Sequence, residues 1–485
     1  MKRPGLTLWI LCAALRVISL LRPCLSDDEA TYCVVGREML HGRALYKDVV
    51  DHKPPIIYLL NELCQWIGGP TGGQFILHLL LITVVWGTAM LLARIARRFD
   101  PGSAMYAALL YIIFTTTLID TDSLAANCEL FMVLPIVASV EAFLAGNALA
   151  TGLCVGIAIL CKYQAGIQLP FFGIAWILQH RKQPLKIVTG GVLIAIGTAI
   201  PLAAAVVYLK AHDAWDAGWF WFKFNFAYID TGSSSAKLMQ MVSRIGLAVA
   251  GALPLYIFAA ISVKDRRYVL YGWLLVSALA IIVGGRFFGH YFHQVTAPLA
   301  VMAAPHAAAF AQKHRRAFIA MLAIPAAIFF VLAAAHDALM NAAGEPDPDY
   351  ASVTRYLNDH GTPDDALCIW GNSPVLYFDA NRALGCRFVF ANYITGLSPA
   401  TPSQSDPTID SSKNAVPIAT DMMIADLATR TPTFLIDASP GNVGFYGKYP
   451  PAKYPWLAHI LGCQYAAETE ISGMRIYRRL PTPRC

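Results

Sequence analysis

Long apolar runs alternate with short polar segments along the first two thirds of the chain. A helix needs about 20 apolar residues to cross the hydrocarbon core of a bilayer. The pattern therefore predicts a polytopic membrane protein with about eleven transmembrane helices. The predicted helices cover about 6–25, 74–96, 103–119, 127–145, 148–165, 167–179, 186–209, 241–263, 268–284, 294–311 and 317–335.

The first apolar run begins like a signal peptide, because Lys2 and Arg3 precede it. However, the run contains Arg16, ends at Arg22-Pro23 and shows no clear small-x-small cleavage site. We therefore expect a retained first membrane helix with its N-terminus on the cytoplasmic side.

Short basic clusters separate the apolar runs at 2–3, 94–98, 181–182, 264–267 and 313–316. In the eleven-helix topology all five clusters fall on one side, which the positive-inside rule makes cytoplasmic. An odd number of helices then places the C-terminal tail outside. The predicted location is the cell (inner) membrane, as a multi-pass protein.

The tail, 337–485, differs in composition from the membrane domain, 1–336, because Asp, Asn, Pro and Gly occur throughout it. A helix near 349–359, a loop over 398–415 and short strand-like runs predict a small extracytoplasmic mixed α/β domain. The strand-like runs are 367–370, 387–390 and 433–436.

Composition supports this division. The chain has 485 residues, of which 56% are hydrophobic and 14% charged, with a mean hydropathy of +0.51. A soluble protein carries about 25% charged residues. The net charge is +6, but the basic residues fall in short clusters between apolar runs, a pattern that does not indicate nucleic acid binding.

The eleven cysteines show no zinc-like spacing. The four cysteines in the tail could form disulfides if the tail is exported, but the sequence leaves their pairing open. These four are Cys368, Cys386, Cys463 and Cys485.

The first outer loop, 26–73, contains two segments that can form helices, 30–40 and 54–67. Both are too short to span a bilayer, so we expect them to lie along the membrane surface. The loop also opens with three adjacent carboxylates, Asp27-Asp28-Glu29. With Ser26 they match a capping box, and one of them could also act as a general base on a hydroxyl or amine.

Three basic residues occur at predicted outer positions. Lys53 lies in His52-Lys53-Pro54-Pro55, where proline suits a helix start and the helix dipole and lysine together favour an anion such as phosphate. Lys162 and Arg286 lie at outer helix ends and could hold the same phosphate. The alternative is that these cations only anchor the chain at the membrane interface.

Four further residues are candidates for the site. Asp122 occupies a short outer turn and Glu129 lies inside an apolar run, where an ionisable group is a functional candidate by default. His290 and Tyr291 lie near Arg286 and could form a stacking platform. The alternatives are a helix cap for Asp122, a structural partner for Glu129 and ordinary interface aromatics for His290 and Tyr291.

Together these features resemble the GT-C class of integral membrane glycosyltransferases, and within it the aminoarabinose transferases of lipid A and the protein O-mannosyltransferases. The resemblance rests on Asp28-Glu29-Ala30-Thr31-Tyr32 after the first helix, Lys53-Pro54 and the Asp122 turn. It covers about residues 1–170 and the layout with an outer C-terminal domain.

The resemblance implies sugar transfer from a polyprenyl phosphate-linked donor to a lipid, glycan or protein acceptor of the cell envelope, with inversion. It implies Asp28 as the catalytic or acceptor-orienting carboxylate, Lys53 at the donor phosphate and Asp122 as a second acidic residue. A phosphate leaving group reduces the need for a metal cofactor, although Asp28 and Asp122 could bind a divalent metal. His52 departs from the glutamate of the aminoarabinose transferases, which puts an amino-sugar substrate in doubt.

Two other functions fit a polytopic protein of this kind. A transporter or flippase of lipid-linked sugars would carry charged or broken helices near mid-membrane, often with internal repeats. A sensor or assembly scaffold would work through its tail. The clustering of ionisable residues at the outer helix ends favours a surface site and therefore the transferase.

Overall fold

A computed structural model describes residues 4–22, 24–118, 121–227, 234–261, 268–283, 285–343, 348–399, 401, 404, 406 and 408–485. The basic clusters at 2–3 and 264–267 and part of the predicted 398–415 loop lie outside the described residues. Each of the eleven predicted membrane segments contains helix. The helices of this part are α1 Pro4–Leu15, α2 Val17–Leu21, α3 Asp27–Leu40, α4 Ile56–Phe99, α5 Ala104–Phe114, α6 Cys128–Leu144, α7 Ala148–Cys161, α8 Gln168–Gln179, α9 Pro184–Ala211, α10 Trp215–Ala227, α11 Ser234–Gly251, α12 Leu253–Ile261, α13 Tyr268–Val283, α14 His293–Lys313, α15 Arg315–Ala334 and α16 His336–Ala343.

Three helices of the described chain are long and apolar enough to cross a membrane, namely Gly72–Phe99 of α4, α9 and α15. A fourth arises if Met241–Gly251 and Leu253–Ile261, bent by 85° from each other, form one broken span. Several other apolar helices are shorter than a full span. The helical character of the predicted segments is therefore confirmed, whereas the number of membrane crossings stays a prediction.

The first outer loop is helical as predicted. α3 begins at Asp27, where the Oγ of Ser26 accepts a hydrogen bond from the backbone N–H of Glu29 at 3.2 Å. α4 joins the predicted surface helix to the next membrane helix through a break at Gly69, which has φ 68° and precedes Pro70. Glycine adopts this left-handed conformation without a side-chain clash, and proline lacks the N–H that an unbroken helix would use.

Small residues bring α7 and α9 together. An added Cβ at Gly152 or Gly197 would collide with backbone atoms of the facing helix. Close backbone approach through glycine is a common way for membrane helices to pack, because lipid offers no hydrophobic driving force. The pair positions α7, whose C-terminal end is capped by Lys162.

The tail forms a four-stranded sheet in the order β1-β2-β4-β3, in which β1 and β2 are parallel and the other pairs antiparallel. The predicted helix near 349–359 and the strands near 367–370 and 433–436 are confirmed. The elements of the tail are α17 Tyr350–His360, β1 Leu367–Trp370, α18 Pro374–Ala380, α19 Asn392–Thr395, α20 Ala419–Arg430, β2 Phe434–Asp437, α21 Pro455–Gln464, β3 Tyr465–Ile471 and β4 Met474–Arg479.

The prediction of a strand at 387–390 is wrong. Phe388 makes a single parallel bridge to Val50 of the first outer loop, and the N–H of Val50 donates to the carbonyl of Arg387 at 2.8 Å. The apolar run is buried against the membrane domain instead of joining the sheet. Of the tail cysteines, Cys463 and Cys485 form a disulfide.

Charged groups fasten the tail to the first outer loop. The guanidinium of Arg37 donates to the carbonyls of Tyr377 at 3.2 Å and Arg382 at 2.6 Å, and to the Oδ1 of Asn381 at 3.0 Å. The neighbouring Glu38 accepts from the N–H of Leu384 at 3.2 Å. This contact places the tail directly over the loop that carries the candidate chemistry.

Candidate functional site

A cavity of about 1010 Å³ lies between the outer loops of the membrane domain and the tail. Apolar surface predominates in its lining, with a limited set of polar groups, as in most small-molecule sites. Eight of the ten candidate residues from the sequence border this cavity. They are Asp28, His52, Lys53, Asp122, Lys162, Arg286, His290 and Tyr291.

Asp28 and Lys53 both border the cavity and both belong to the first outer loop. Asp28 lies in the first turn of α3, and Lys53 lies three residues before α4. Within the described part of the chain, neither side chain makes a hydrogen bond or an ion pair. Burial disfavours the charged ammonium of Lys53, but the negative charges of Asp28 and Asp51 outweigh it and raise the pKa of Lys53. A charged lysine beside an available carboxylate is thus open to a ligand.

Asp122 and His290 form a second polar centre on the cavity wall. The Nδ1 of His290 hydrogen-bonds to the carboxylate of Asp122, and Asn127 donates to the other carboxylate oxygen at 2.8 Å. Burial would raise the pKa of Asp122, but the charge and hydrogen bond of His290 lower it. Burial would likewise lower the pKa of His290, yet Asp122 and Glu129 raise it. The contact therefore favours the carboxylate form of Asp122 and the imidazolium form of His290.

Lys162 is bound on the same wall by Glu129. Its ammonium pairs with the Glu129 carboxylate and lies 3.9 Å from the ring centroid of Tyr291. The Nε2 of His290 is 3.6 Å from the same glutamate. Glu129 does not border the cavity itself, but it holds two cations that do.

His52 lies where the membrane domain meets the tail. Its Nδ1 is 3.0 Å from Asp51 and 3.1 Å from the hydroxyl of Tyr393. Tyr58 also donates to Asp51, at 2.7 Å. Burial would raise the pKa of Asp51, but His52, Lys53 and Tyr58 together lower it. Asp51 was not among the site residues predicted from the sequence, although it directly precedes His52 and Lys53 in the chain.

Glu29 lies outside the cavity lining. Its carboxylate accepts from the backbone N–H of Leu25 at 2.9 Å and of Ala126 at 3.2 Å, and lies 2.8 Å from the Nε2 of His78. These contacts join the end of the first helix pair to the Asp122 segment. Among the three adjacent carboxylates, Glu29 makes these buried contacts, whereas Asp27 and Asp28 border the cavity.

Arg286 borders the cavity but already contacts the tail. Its guanidinium donates to the Oγ of Ser398 and the carbonyl of Pro399, both at 2.8 Å. Residues of the tail line one side of the cavity, and none of them was predicted from the sequence as a site residue. Its lining residues include Asn372, Phe390, Asn392, Tyr393, Lys413 and Asn414.

The two candidate metal ligands, Asp28 and Asp122, both border the cavity. Asp122 is occupied by His290 and Asn127, and it shares no group of three closely spaced ligand atoms with Asp28. One group of that kind is present among the described residues, at His459, Cys463 and Cys485, but there the two cysteines form a disulfide.

No protein-family model matches the sequence, and no curated protein matches it significantly. The fold does match solved structures. The crystal structure of ArnT from Cupriavidus metallidurans bound to undecaprenyl phosphate has a TM-score of 0.61 over 97% of this chain and 98% of that chain, at 13% identity. Its apo state gives 0.62 over 97% of both chains, at 12% identity. The GT-C resemblance is confirmed at the level of the fold.

Proposed function

We propose that this protein is a GT-C-type glycosyltransferase that moves a sugar from a polyprenyl phosphate-linked donor to an acceptor of the cell envelope. The observation that carries this proposal is the juxtaposition of an available carboxylate, Asp28, and an available cation, Lys53, in one cavity. The fold is shared with a protein crystallised with undecaprenyl phosphate, which supports a lipid phosphate as the ligand of Lys53.

The reaction has two electrostatic demands. A hydroxyl or amine of the acceptor attacks the anomeric carbon while the bond from that carbon to the phosphate oxygen breaks. Asp28 takes the proton of the acceptor as general base. Lys53 stabilises the negative charge that develops on the departing lipid phosphate. Lys162 is a second lysine that borders the same cavity. Attack opposite the leaving phosphate inverts the anomeric centre.

The proposed orientation follows from the basic clusters and the position of the cavity. The N-terminus is cytoplasmic, and the first outer loop and the tail lie on the outer face of the inner membrane. A lipid-linked donor then reaches the cavity at the membrane interface, while the tail covers the site from the aqueous side. The membrane domain, 1–336, carries the proposed reacting groups.

The first experiment measures donor binding. Purified protein in nanodiscs is titrated with undecaprenyl phosphate, and Lys53→Ala is compared with Lys47→Ala. Lys47 is an exposed lysine of the same loop that pairs with Asp213 outside the cavity lining. We expect Lys53→Ala to weaken binding at least about tenfold, because a charge-assisted contact contributes about 1.5–3 kcal/mol. Equal affinities of the two variants would remove the phosphate role of Lys53.

The second experiment identifies the product. Mass spectrometry compares cell-envelope lipids and glycans with and without the gene, and then after complementation with Asp28→Asn or Asp216→Asn. Asp216 is an exposed aspartate in the first turn of α10, outside the cavity lining. We expect the missing glycoform to return with Asp216→Asn and to stay absent with Asp28→Asn. Movement of the lipid across vesicle membranes by purified protein, without any sugar transfer, would instead support a flippase.

A further inference from the structure

The tail side of the cavity differs chemically from the membrane side. We define the tail wall as Asn372, Phe390, Asn392 and Tyr393, all of which border the cavity. The membrane side contributes the carboxylates Asp27, Asp28, Asp51 and Asp122, whereas the described tail residues that line the cavity contribute none. Lys413 is a cation on this side. The tail wall itself consists of two amides and two aromatic rings and carries no charged side chain.

Two amide side chains of the tail wall are held in fixed positions. The hydroxyl of Tyr446 donates to the Oδ1 of Asn392 at 2.9 Å, and the Nδ2 of Asn392 lies 3.4 Å from the Oδ1 of Asn372. A side-chain amide has two N–H donors. Within the described chain the Nδ2 of Asn372 makes no hydrogen bond, so its donors are available at the cavity surface.

An aromatic surface adjoins these amides. The ring of Phe390 stacks on Tyr393 with centroids 5.3 Å apart and an interplanar angle of 29°. Tyr393 in turn packs against Trp221 at 4.7 Å and Phe224 at 5.5 Å. Phe390 is only partly buried, so it presents aromatic surface to the cavity. Its neighbours keep the ring in place.

A pyranose matches this combination of groups. The axial C–H groups of its ring form an apolar face that packs on an aromatic ring, and its hydroxyls project from the edge toward amide donors and acceptors. An ammonium group on the sugar would find no carboxylate among the described tail residues of the lining. Asp51 of the membrane side lies 3.4 Å from the hydroxyl of Tyr393, but its carboxylate already contacts His52 and Tyr58. From the amides, the stacked ring and the charge distribution we infer that the tail wall is a binding site for a neutral pyranose. This inference rests on the proposed glycosyltransferase function and names its substrate class.

The pyranose could belong to the donor or to the acceptor, and binding experiments separate the two. The probes are undecaprenyl phosphate, the same lipid carrying glucose, galactose, mannose or glucosamine, and the methyl glycosides of these sugars. Phe390→Leu removes the aromatic face and Asn372→Ala removes the amide. The matched controls are Phe445→Leu and Asn358→Ala, which alter exposed tail residues outside the cavity lining.

We expect Phe390→Leu and Asn372→Ala each to weaken binding of at least one neutral sugar about fivefold, the usual effect of losing one such contact. Bare undecaprenyl phosphate should bind as before. Weakened binding of the neutral sugar-lipid assigns the site to the donor sugar, and weakened binding of a methyl glycoside to protein loaded with bare lipid assigns it to the acceptor.

Two results would overturn the inference. One is unchanged binding of every neutral probe in both cavity variants, and the other is tighter binding of the glucosamine probes than of the neutral ones. Neither result bears on the proposed function, which depends on the effect of Lys53→Ala on the bare lipid. A fall in bare-lipid affinity for Lys53→Ala, with no effect of Phe390→Leu on any probe, would retain the transferase and remove the sugar site.

Discussion

His290 hydrogen-bonds through its Nδ1 to the carboxylate of Asp122, although the two residues lie 168 positions apart in the chain. Asp122 lies in the turn before α6, and His290 lies in the turn before α14. Their contact therefore fixes two outer loops relative to each other at the edge of the cavity. It also gives the cavity wall a charge state that depends on pH.

The first prediction concerns that dependence. The pKa of His290 is raised in the folded protein, so its contribution to stability is complete below about pH 6.5 and is lost as pH rises through the raised value. The pKa of Asp122 is lowered, so its contribution is complete above about pH 4 and is lost as pH falls through the lowered value. Both contributions are therefore complete between about pH 4 and about pH 6.5.

We therefore expect thermal stability and donor binding to decline on the alkaline side as His290 loses its proton. His290→Gln should flatten this decline, because glutamine can still donate to Asp122 but does not titrate. Thermal unfolding and undecaprenyl phosphate binding between pH 5 and pH 10 provide the measurement. The control is His212→Gln, which alters an exposed histidine outside the cavity lining. An alkaline decline of the same size in the His290→Gln protein would contradict this interpretation.

The second prediction concerns Lys162 and Glu129. Their buried contact leaves a charge without a partner when one residue is changed, and breaking such a pair costs on the order of 3–5 kcal/mol. Lys162→Met and Glu129→Gln should therefore each destabilise the protein, and the double variant should destabilise it less than the sum of the two. Thermal unfolding of the four proteins measures this coupling. Additive effects would show that the pair contributes no interaction energy.

Much of the membrane domain was predictable because its signals are local. Apolar runs gave the helical segments, and Ser26 followed by Glu29 three residues later marked the start of α3. Lys53 before two prolines marked the start of α4. These local patterns also placed Asp28 and Lys53 on the same loop, and both candidate residues border the cavity.

The tail wall was not predictable in the same way. Asn372, Phe390 and Asn392 come together with the membrane domain only after the tail docks on the first outer loop, a contact between segments more than 300 positions apart. The run at 387–390 has the composition of a strand, but its apolar side chains are buried against the first outer loop and the run does not join the sheet. Contact with the membrane domain, and not local composition, therefore determines the conformation of this run.

The third prediction concerns Glu29. Its carboxylate contacts two backbone N–H groups and His78 in a buried position. Glu29→Ala should lower stability by about 3 kcal/mol, because the donors it satisfies lose their partner away from water. Glu62→Ala alters a partly exposed glutamate of α4 outside the cavity lining and should have a much smaller effect. Thermal unfolding compares the two, and equal losses of stability would show that Glu29 is not an anchor.

The fourth prediction concerns the contact between the domains. Arg37 is buried and donates three hydrogen bonds to tail groups between Tyr377 and Arg382. Arg37→Ala should leave the tail folded, because its sheet does not include this contact, but it should loosen the docking and widen the cavity. Hydrogen–deuterium exchange should then rise in the segment 377–388 and stay unchanged in β2.

The matched control is Arg355→Ala, which alters an arginine of α17 that does not contact the first outer loop in the described chain. If the tail wall shapes the cavity, Arg37→Ala should weaken binding of a neutral sugar-lipid more than binding of bare undecaprenyl phosphate, since the bare lipid depends on Lys53. Exchange that is unchanged in 377–388 would show that the other contacts, such as Glu38 with Leu384, hold the tail without Arg37.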